Sequence, residues 1–474
     1  MTLLDGFEWK GKWWLPKTPE NKISGSISFG NNKEIQLNLL GSFHDIATAF
    51  NAPINHKIIY GLTTEGKICT LLMCNQAGTN LNVPGFHTTM YTAEFLFVGL
   101  HFEDELFTFF SAIVNFTNLE EWINIIPFDY EHVIVEKKIC DMTAKYSKPI
   151  NFECNVPCID AKISSDFSFT QSYDKHRYLR WEHLTFLKIS PKKNKGYKWF
   201  LKNIFILREL LTLFIGNPIF ERIIYLFIET KNSSGEIKKE PIQLFFTEYH
   251  DTTSKKVNTN NIIFNLPSIY DNLATILNKW YTLYDSFESV LNLLFGNIFN
   301  KNIYLEYSFL TLMQALEAYH RSLGNGHYID QDDYDTSCES IKNAIPTDLP
   351  DDLKQSLKSR LKYGNEYSLR KRIKNLFESL NQETKDKILP KANIIRDKMV
   401  DTRNFFTHYD SAMKNKIISG TDLVYTNQLL MILLSLFLFK EIGLSEEVIL
   451  TNLSNSDRFG HIIPNLKKME FINE

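Results

Sequence analysis

The chain carries almost no excess of charge. Its formal net charge is −3 over 474 residues, so it has no global field for a polyanion, and any nucleic-acid contact must be local. Cysteine is also scarce. The six thiols, Cys69, Cys74, Cys140, Cys154, Cys158 and Cys338, are too few to staple a chain of this length, and reduced thiols in a cytoplasmic setting are expected. Cys69-x4-Cys74 and Cys154-x3-Cys158 have no paired Cys or His at zinc spacing, so no metal ligand is assigned and no cofactor is expected. Met1-Thr-Leu-Leu-Asp-Gly-Phe-Glu has no basic stretch leading into an apolar one, and no secretory signal is expected. The longest apolar run, Leu429–Phe439, is interrupted by Ser435 and preceded by Thr426, Asn427 and Gln428. It falls short of the ~20 apolar residues a bilayer requires. It reads as a buried bundle helix, and no membrane contact is expected. There is no fixed-period repeat and no G-x4-GK[ST], H-E-x-x-H or G-x-S-x-G motif. The acidic segment Asp330-Gln-Asp-Asp-Tyr-Asp335 lacks the Gly and Glu of a calcium loop and reads as a solvated loop.

What is present divides into two halves. Aromatic residues make up 14% of the chain, with 36 Phe, enough to fill large cores in two or three domains. Residues 1–250 are β-rich. Short runs such as Trp9–Leu15, Ile23–Phe29 and Glu34–Leu39 are separated by turn compositions, the pattern of an antiparallel sandwich or barrel. Further strands are expected at His132–Ile139, Ala161–Gln171 and His183–Ser190. A short helix is expected after Asn118 as N-cap, and a longer one over Tyr197–Ile215, stopped by Gly216. The polar stretch Asp251–Asn261 has the composition of a linker, and 251–300 reads as a helical connector. Residues 301–474 show only helical periodicity, in segments with short connections. The fold class is α+β multidomain: a β-rich half, then an all-α bundle.

One helix in that bundle carries chemistry. Over residues 394–410, Ile395, Met399, Thr402, Phe406, Tyr409 and Met413 recur at steps of four and three and form a core face. Asp397, Asp401, Asn404 and His408 form a second stripe, roughly 150° away at ~100° per residue. His408 is therefore directed away from the core, with Arg403 nearby. A His near neutral pKa can take or give a proton, and Arg donates fixed hydrogen bonds to phosphate. In RNA the 2′-hydroxyl is the nucleophile, so such a set can cleave a phosphodiester without a metal. A solvated helix face accounts for the same residues equally simply. Asp401 and Asn404 are placed to orient the imidazole, and Glu317, hemmed in by apolar neighbours, calls for a cationic partner such as Arg403 or Arg396. In the basic segment Lys354–Lys374, with Tyr363 and Tyr367 among the charges, Lys362, Arg370, Lys371 and Arg372 are candidate RNA contacts. A solvated basic face is the other reading.

These residues resemble a family. Arg403-Asn404-Phe-Phe-Thr-His408 late in a helical domain resembles the Arg-polar-x3-His signature of HEPN ribonucleases. Gln314-Ala-Leu-Glu-Ala-Tyr-His-Arg321, Tyr363-Gly-Asn-Glu-Tyr-Ser-Leu-Arg370 and Ile395–Asn404 are similar to ApeA-type HEPN proteins of anti-phage defence. In the first half, Phe7–Pro16, Ile23–Ile27 and Asn118–Trp122 look like the ApeA N-terminal domain. The resemblance implies a HEPN bundle over 301–474 acting as a metal-independent endoribonuclease on RNA, tRNA among the candidates. It also implies a homodimer with a composite site and an N-terminal domain that senses a phage-derived trigger. Arg403, Asn404 and His408 would be catalytic, with Asp401 and Glu317 in support. The alternative is a non-catalytic HEPN scaffold in a two-component, toxin–antitoxin-like system. Residues 1–250 contain no nucleophile–base pair or metal spacing of their own.

Overall fold

The computed structural model describes residues 2–30, 34–44, 53–81, 84–102, 107–231, 235–247, 255–300, 302–324, 326–409 and 417–473. Residues 251–254 of the expected linker, and Asp410 and Met413 of the expected helix, lie outside them. The chain forms two compact units, Met1–Tyr281 and Thr282–Glu474.

The first unit begins with β1 (Phe7–Trp14), β2 (Ile23–Phe29), β3 (Ile35–Leu39), β4 (His56–Thr63), β5 (Ile68–Asn80) and β6 (Thr88–Val98). Their side chains alternate, as a strand requires. Trp9 and Trp13 are buried while Lys10 and Lys12 are exposed. The strands pair antiparallel in the order β6-β3-β2-β1-β4-β5, and β5 returns to β6, closing a six-stranded barrel. Trp13, Ile27, Ile35, Leu39, Ile59 and Leu71 are fully buried. Gly61 is required here: a Cβ at that position would fall 2.1 Å from the Trp13 ring.

β6 also carries the sheet beyond the barrel. One of its edges pairs with β5 over Thr88–Val98. The other is shared, Thr89–Ala93 going to β3 and Phe95–Val98 to a later strand. The elements that follow are β7 (Thr108–Phe109), β8 (Ser111–Phe116), α1 (Leu119–Ile123), β9 (Phe128–Val135), β10 (Lys138–Tyr146), β11 (Glu153–Val156), β12 (Ala161–Asp174), β13 (Tyr178–Pro191), β14 (Lys195–Gly196), α2 (Tyr197–Ile215), β15 (Glu221–Lys231) and β16 (Ile237–Phe246). The sheet runs β11-β12-β13-β8-β15-β16 into β6. α2 buries Phe200, Ile204, Leu207, Leu211 and Phe214, and Gly216 closes it at φ 80.

Three expectations are corrected here. The strand read at His132–Ile139 straddles a turn: β9 and β10 form a hairpin, and Glu136 and Lys137 at its tip have positive φ, 52° and 65°. This is the twist a two-residue hairpin turn needs, and no Gly or Asn advertised it. Asn118 stands at the N-cap position of α1, but its side chain makes no capping hydrogen bond to the helix. It sits at φ 59, and its amide accepts from Val257 N at 3.2 Å and donates to Lys255 O at 2.9 Å. Nor do residues 255–281 form a free connector. They belong to the first unit, with Trp280 Nε1 donating to Ile206 O at 2.9 Å and Tyr281 to Asn203 O at 3.0 Å. This tail contains α3 (Leu266–Ile269) and most of α4 (Leu273–Tyr284).

The second unit is helical: α5 (Glu288–Phe299), α6 (Leu305–Ser322), α7 (Gln331–Asn343), α8 (Asp351–Leu361), α9 (Leu369–Glu378), α10 (Gln382–Ile388), α11 (Ala392–His408), α12 (Gly420–Glu441), α13 (Glu446–Asn455) and α14 (Glu470–Asn473). α12 is long and apolar enough to cross a membrane, but 78% of its apolar window is buried in the fold. α6 packs against α5, α9, α11 and α12. The acidic segment after Asp330 is not a loop but α7, with Asp332 and Asp333 in its first turn, where the helix dipole favours negative charge.

Candidate active site

α11 buries Ile395, Met399, Val400 and Thr402, the face expected from spacing. Phe406 is half-buried and meets Phe309 of α6 edge-on, with ring centroids 6.0 Å apart. Thr402 belongs to this face because its hydroxyl is satisfied: it donates to Lys398 O at 2.7 Å and accepts from Ile418 N at 2.8 Å. That second bond fixes the returning chain against the helix. The helix ends earlier than its periodicity suggests. His408 is its last residue, and Tyr409 caps it in the left-handed conformation at φ 53, its N–H bonded to Phe405 O. Tyr409 is therefore 72% exposed rather than on the core face.

Arg403 and His408 take different directions. Arg403 is half-buried. Its Nη2 lies 3.9 Å from Glu317 Oε2 on α6, and its Nη1 donates to Asn404 Oδ1 at 3.3 Å. His408 and Thr407 are exposed. Five residues on a regular helix turn through roughly 140°, and no hydrogen bond or ion pair joins Arg403 to His408 among the described residues. Asp401 and Asn404 do not orient the imidazole in this chain. Asp401 accepts from Arg370 Nη2 at 2.9 Å, and Asn404 is turned to Arg403.

Arg403 is the partner of Glu317 that the sequence offered beside Arg396, and it stands at the end of a longer charged chain that spacing did not foretell. Glu317 receives Arg321 at 3.1 Å as well as Arg403. Arg321 also reaches Glu366 at 2.8 Å, and Glu366 lies 3.7 Å from Arg372. Arg372 donates to Tyr367 O at 3.0 Å and to His320 Nδ1 at 3.3 Å. The hydrogen bond from Arg321 holds the Glu366 carboxyl below its ordinary range. Burial, and then the charges of Arg372 and Arg321, push the His320 imidazole down. Beside this chain, Arg396 grips Asp397 through Nε at 2.7 Å and Nη2 at 3.0 Å. Arg370 joins Asp397 to Asp401. The hydrogen bond from Arg396 is the main cause of a lowered Asp397 carboxyl.

The basic segment separates accordingly. Arg372 is 1% exposed and faces the bundle interior, so it is withdrawn as an RNA contact. Its helix puts residues 372, 373, 376 and 377 inward, and the charge rides on the core face because His320, Tyr367 and Glu366 satisfy it. Arg370 is half-exposed but committed to two carboxylates. Lys362 is exposed, and Lys371 Nζ lies 5.5 Å from the Tyr367 ring. Asn365 escaped notice in the sequence. It is buried and holds the chain at Tyr328 and Ile329, accepting from both N–H groups at 3.1 Å and donating to Ile329 O at 2.9 Å. The adjoining Gly364, tight against the Tyr334 hydroxyl, was the available signal.

The fold thus defines a two-domain protein, a barrel-bearing sheet domain followed by a helical bundle. Residues 8–280 match the family model ApeA N-terminal domain 1, and residues 310–448 match Apea-like HEPN. The chain belongs to the ApeA-like HEPN proteins. No curated protein and no solved structure matches it.

Proposed function

We propose that this protein is an anti-phage endoribonuclease that cleaves RNA without a metal through Arg403 and His408, at a site completed by a second copy of the chain. The observation that carries this reading is the pair's placement at the end of α11. Arg403 is held by Glu317 and Asn404, while His408 is exposed beside it. Their divergence is a poor geometry for one phosphate from one helix. An isologous contact about a two-fold axis presents each residue twice and supplies the missing partner. Arg403 then holds the scissile phosphate and the charge developing on it. His408 moves a proton to or from the 2′-hydroxyl or the leaving oxygen, and Asn404 supports the guanidinium. Lys362 and Lys371 contact the RNA backbone, with tRNA among the candidate substrates. The protein acts in the cytoplasm.

In this reading the first unit senses a phage-derived trigger. The surface that supports it is the β9–β10 hairpin, where Tyr130, Val133, Ile134, Val135, Ile139 and Met142 are each more than half exposed. A lone two-stranded hairpin is marginally stable in water, and its apolar side chains suit a protein partner.

The test is RNA cleavage by the full chain in EDTA, with analysis of the ends. Products with a 2′,3′-cyclic phosphate and a 5′-hydroxyl are expected, and His408→Ala and Arg403→Ala should each lose about 10²–10⁴ in rate. Loss of cleavage in EDTA, or a His408→Ala protein as active as wild type, would sink the proposal. In infected cells, loss of protection by Arg403→Ala at unchanged expression separates it from a scaffold role.

A further inference from the structure

A cleft of about 830 Å³ opens on the barrel wall, across the adjacent strands β3, β2, β1 and β4. Gly11 and Gly25 line it and face each other in register. A Cβ would fall 2.5 Å from Leu62 O at Gly11 and 2.4 Å from Asn38 O at Gly25. Glycine alone lets the strands approach so closely here. The lining contains Lys10, Lys12 and Lys22 but no Asp or Glu. All three lysines are exposed, and none has a carboxylate partner among the described residues. A second cavity of about 430 Å³ shares Lys22, Ser24 and Leu40 with the first and adds His44 and His87, again with no acid.

Three like charges gathered without a counter-charge repel one another, and a bound anion relieves this. The chain as a whole is slightly negative, so the excess is local to the cleft. The remaining wall is largely apolar: Trp14, with Lys22 Nζ 4.5 Å from its ring centroid, and the exposed Leu40 and Leu62. An inorganic anion would leave that wall wet. A ligand with both a phosphate and a flat ring uses the two parts together. The volume lies within the roughly 300–1,000 Å³ typical of small-molecule sites.

We propose that this cleft binds a phosphate-bearing nucleotide, its phosphates on Lys10, Lys12 and Lys22 and its base against the apolar wall. The nucleotide is either free or the end of an RNA strand. The inference does not depend on the nuclease reading.

The experiment titrates the full chain calorimetrically, at low salt, with ATP, a 5′-phosphorylated pentauridylate whose 2′-oxygens are methylated so that it cannot be cleaved, and inorganic phosphate. Wild type should bind one of the two nucleotide probes, and inorganic phosphate about tenfold more weakly or not at all. The Lys10→Glu/Lys12→Glu protein, its folding checked by thermal melt, should lose about tenfold or more in affinity for that probe. Should it fail to fold, Lys22→Gln replaces it, with a loss of about threefold expected. Tighter ATP binding identifies a free nucleotide, and tighter oligonucleotide binding a strand end. The proposal is overturned if wild type binds neither probe, if inorganic phosphate binds as well as they do, or if the folded lysine variant binds them unchanged.

Discussion

The guanidinium of Arg372 donates to Nδ1 of His320 at 3.3 Å, and the two side chains are 1% and 3% exposed. Arginine can only donate, so His320 accepts at Nδ1 and is the neutral imidazole. The pair seals the buried end of the charged chain that leads through Glu366, Arg321 and Glu317 to Arg403.

Arg372→Ala is therefore a stability variant. It strips Tyr367 O and His320 of a buried donor. Unfolding free energy should fall by about 3–5 kcal/mol, read as a lower urea midpoint. An unchanged midpoint would show that the site relaxes at little cost.

Glu317 is a positioning residue for Arg403. Glu317→Gln keeps the shape but loses the charge facing both Arg403 and Arg321. The cleavage rate constant kcat should drop about tenfold with KM little changed, and stability should shift by about 1 kcal/mol or less. A change confined to KM would instead place Glu317 in substrate binding.

RNA affinity should divide the basic segment. Lys362→Ala and Lys371→Ala should each weaken binding and reduce the salt slope by about 1. Arg370→Ala should do less, because its charge already answers Asp397 and Asp401. Filter binding across a salt series checks this. Equal slopes for wild type and both lysine variants would remove the segment from the RNA interface.

In the first unit, His56 stacks on His44, with Nε2 atoms 3.3 Å apart. Burial, and then His44, push the His56 imidazole down to about 4. In the unfolded chain it titrates near 6.5, so between about pH 6.5 and 4 the unfolded state binds the extra proton. The stability is present above 6.5 and is lost as pH falls toward 4. For a half-buried ring this is about 1 kcal/mol after screening. Urea titrations across that range should show the slope flattened in His56→Gln.

Local pattern carried much of this protein. Turn compositions set off Trp9–Leu15, Ile23–Phe29 and Glu34–Leu39 as strands, and β1, β2 and β3 lie there. Four-and-three spacing set Ile395, Met399 and Thr402 in the core and His408 out of it, because side-chain direction follows directly from helix and strand period. Tyr197–Ile215 with Gly216 was legible for the same reason. Other features were decided only by tertiary structure. Barrel closure depends on β5 meeting β6 and on β6 dividing its other edge between β3 and β16, pairings between distant residues that no local signal specifies. Arg372 looked like any other member of a basic segment until its near neighbours Glu366 and Tyr367 and, from α6, His320 made its burial affordable. Asp401 was drawn from His408 to Arg370, and Asn118 from the helix it precedes to the chain at 255–257. Polar side chains go where hydrogen bonds are complete, and that depends on what folding brings beside them.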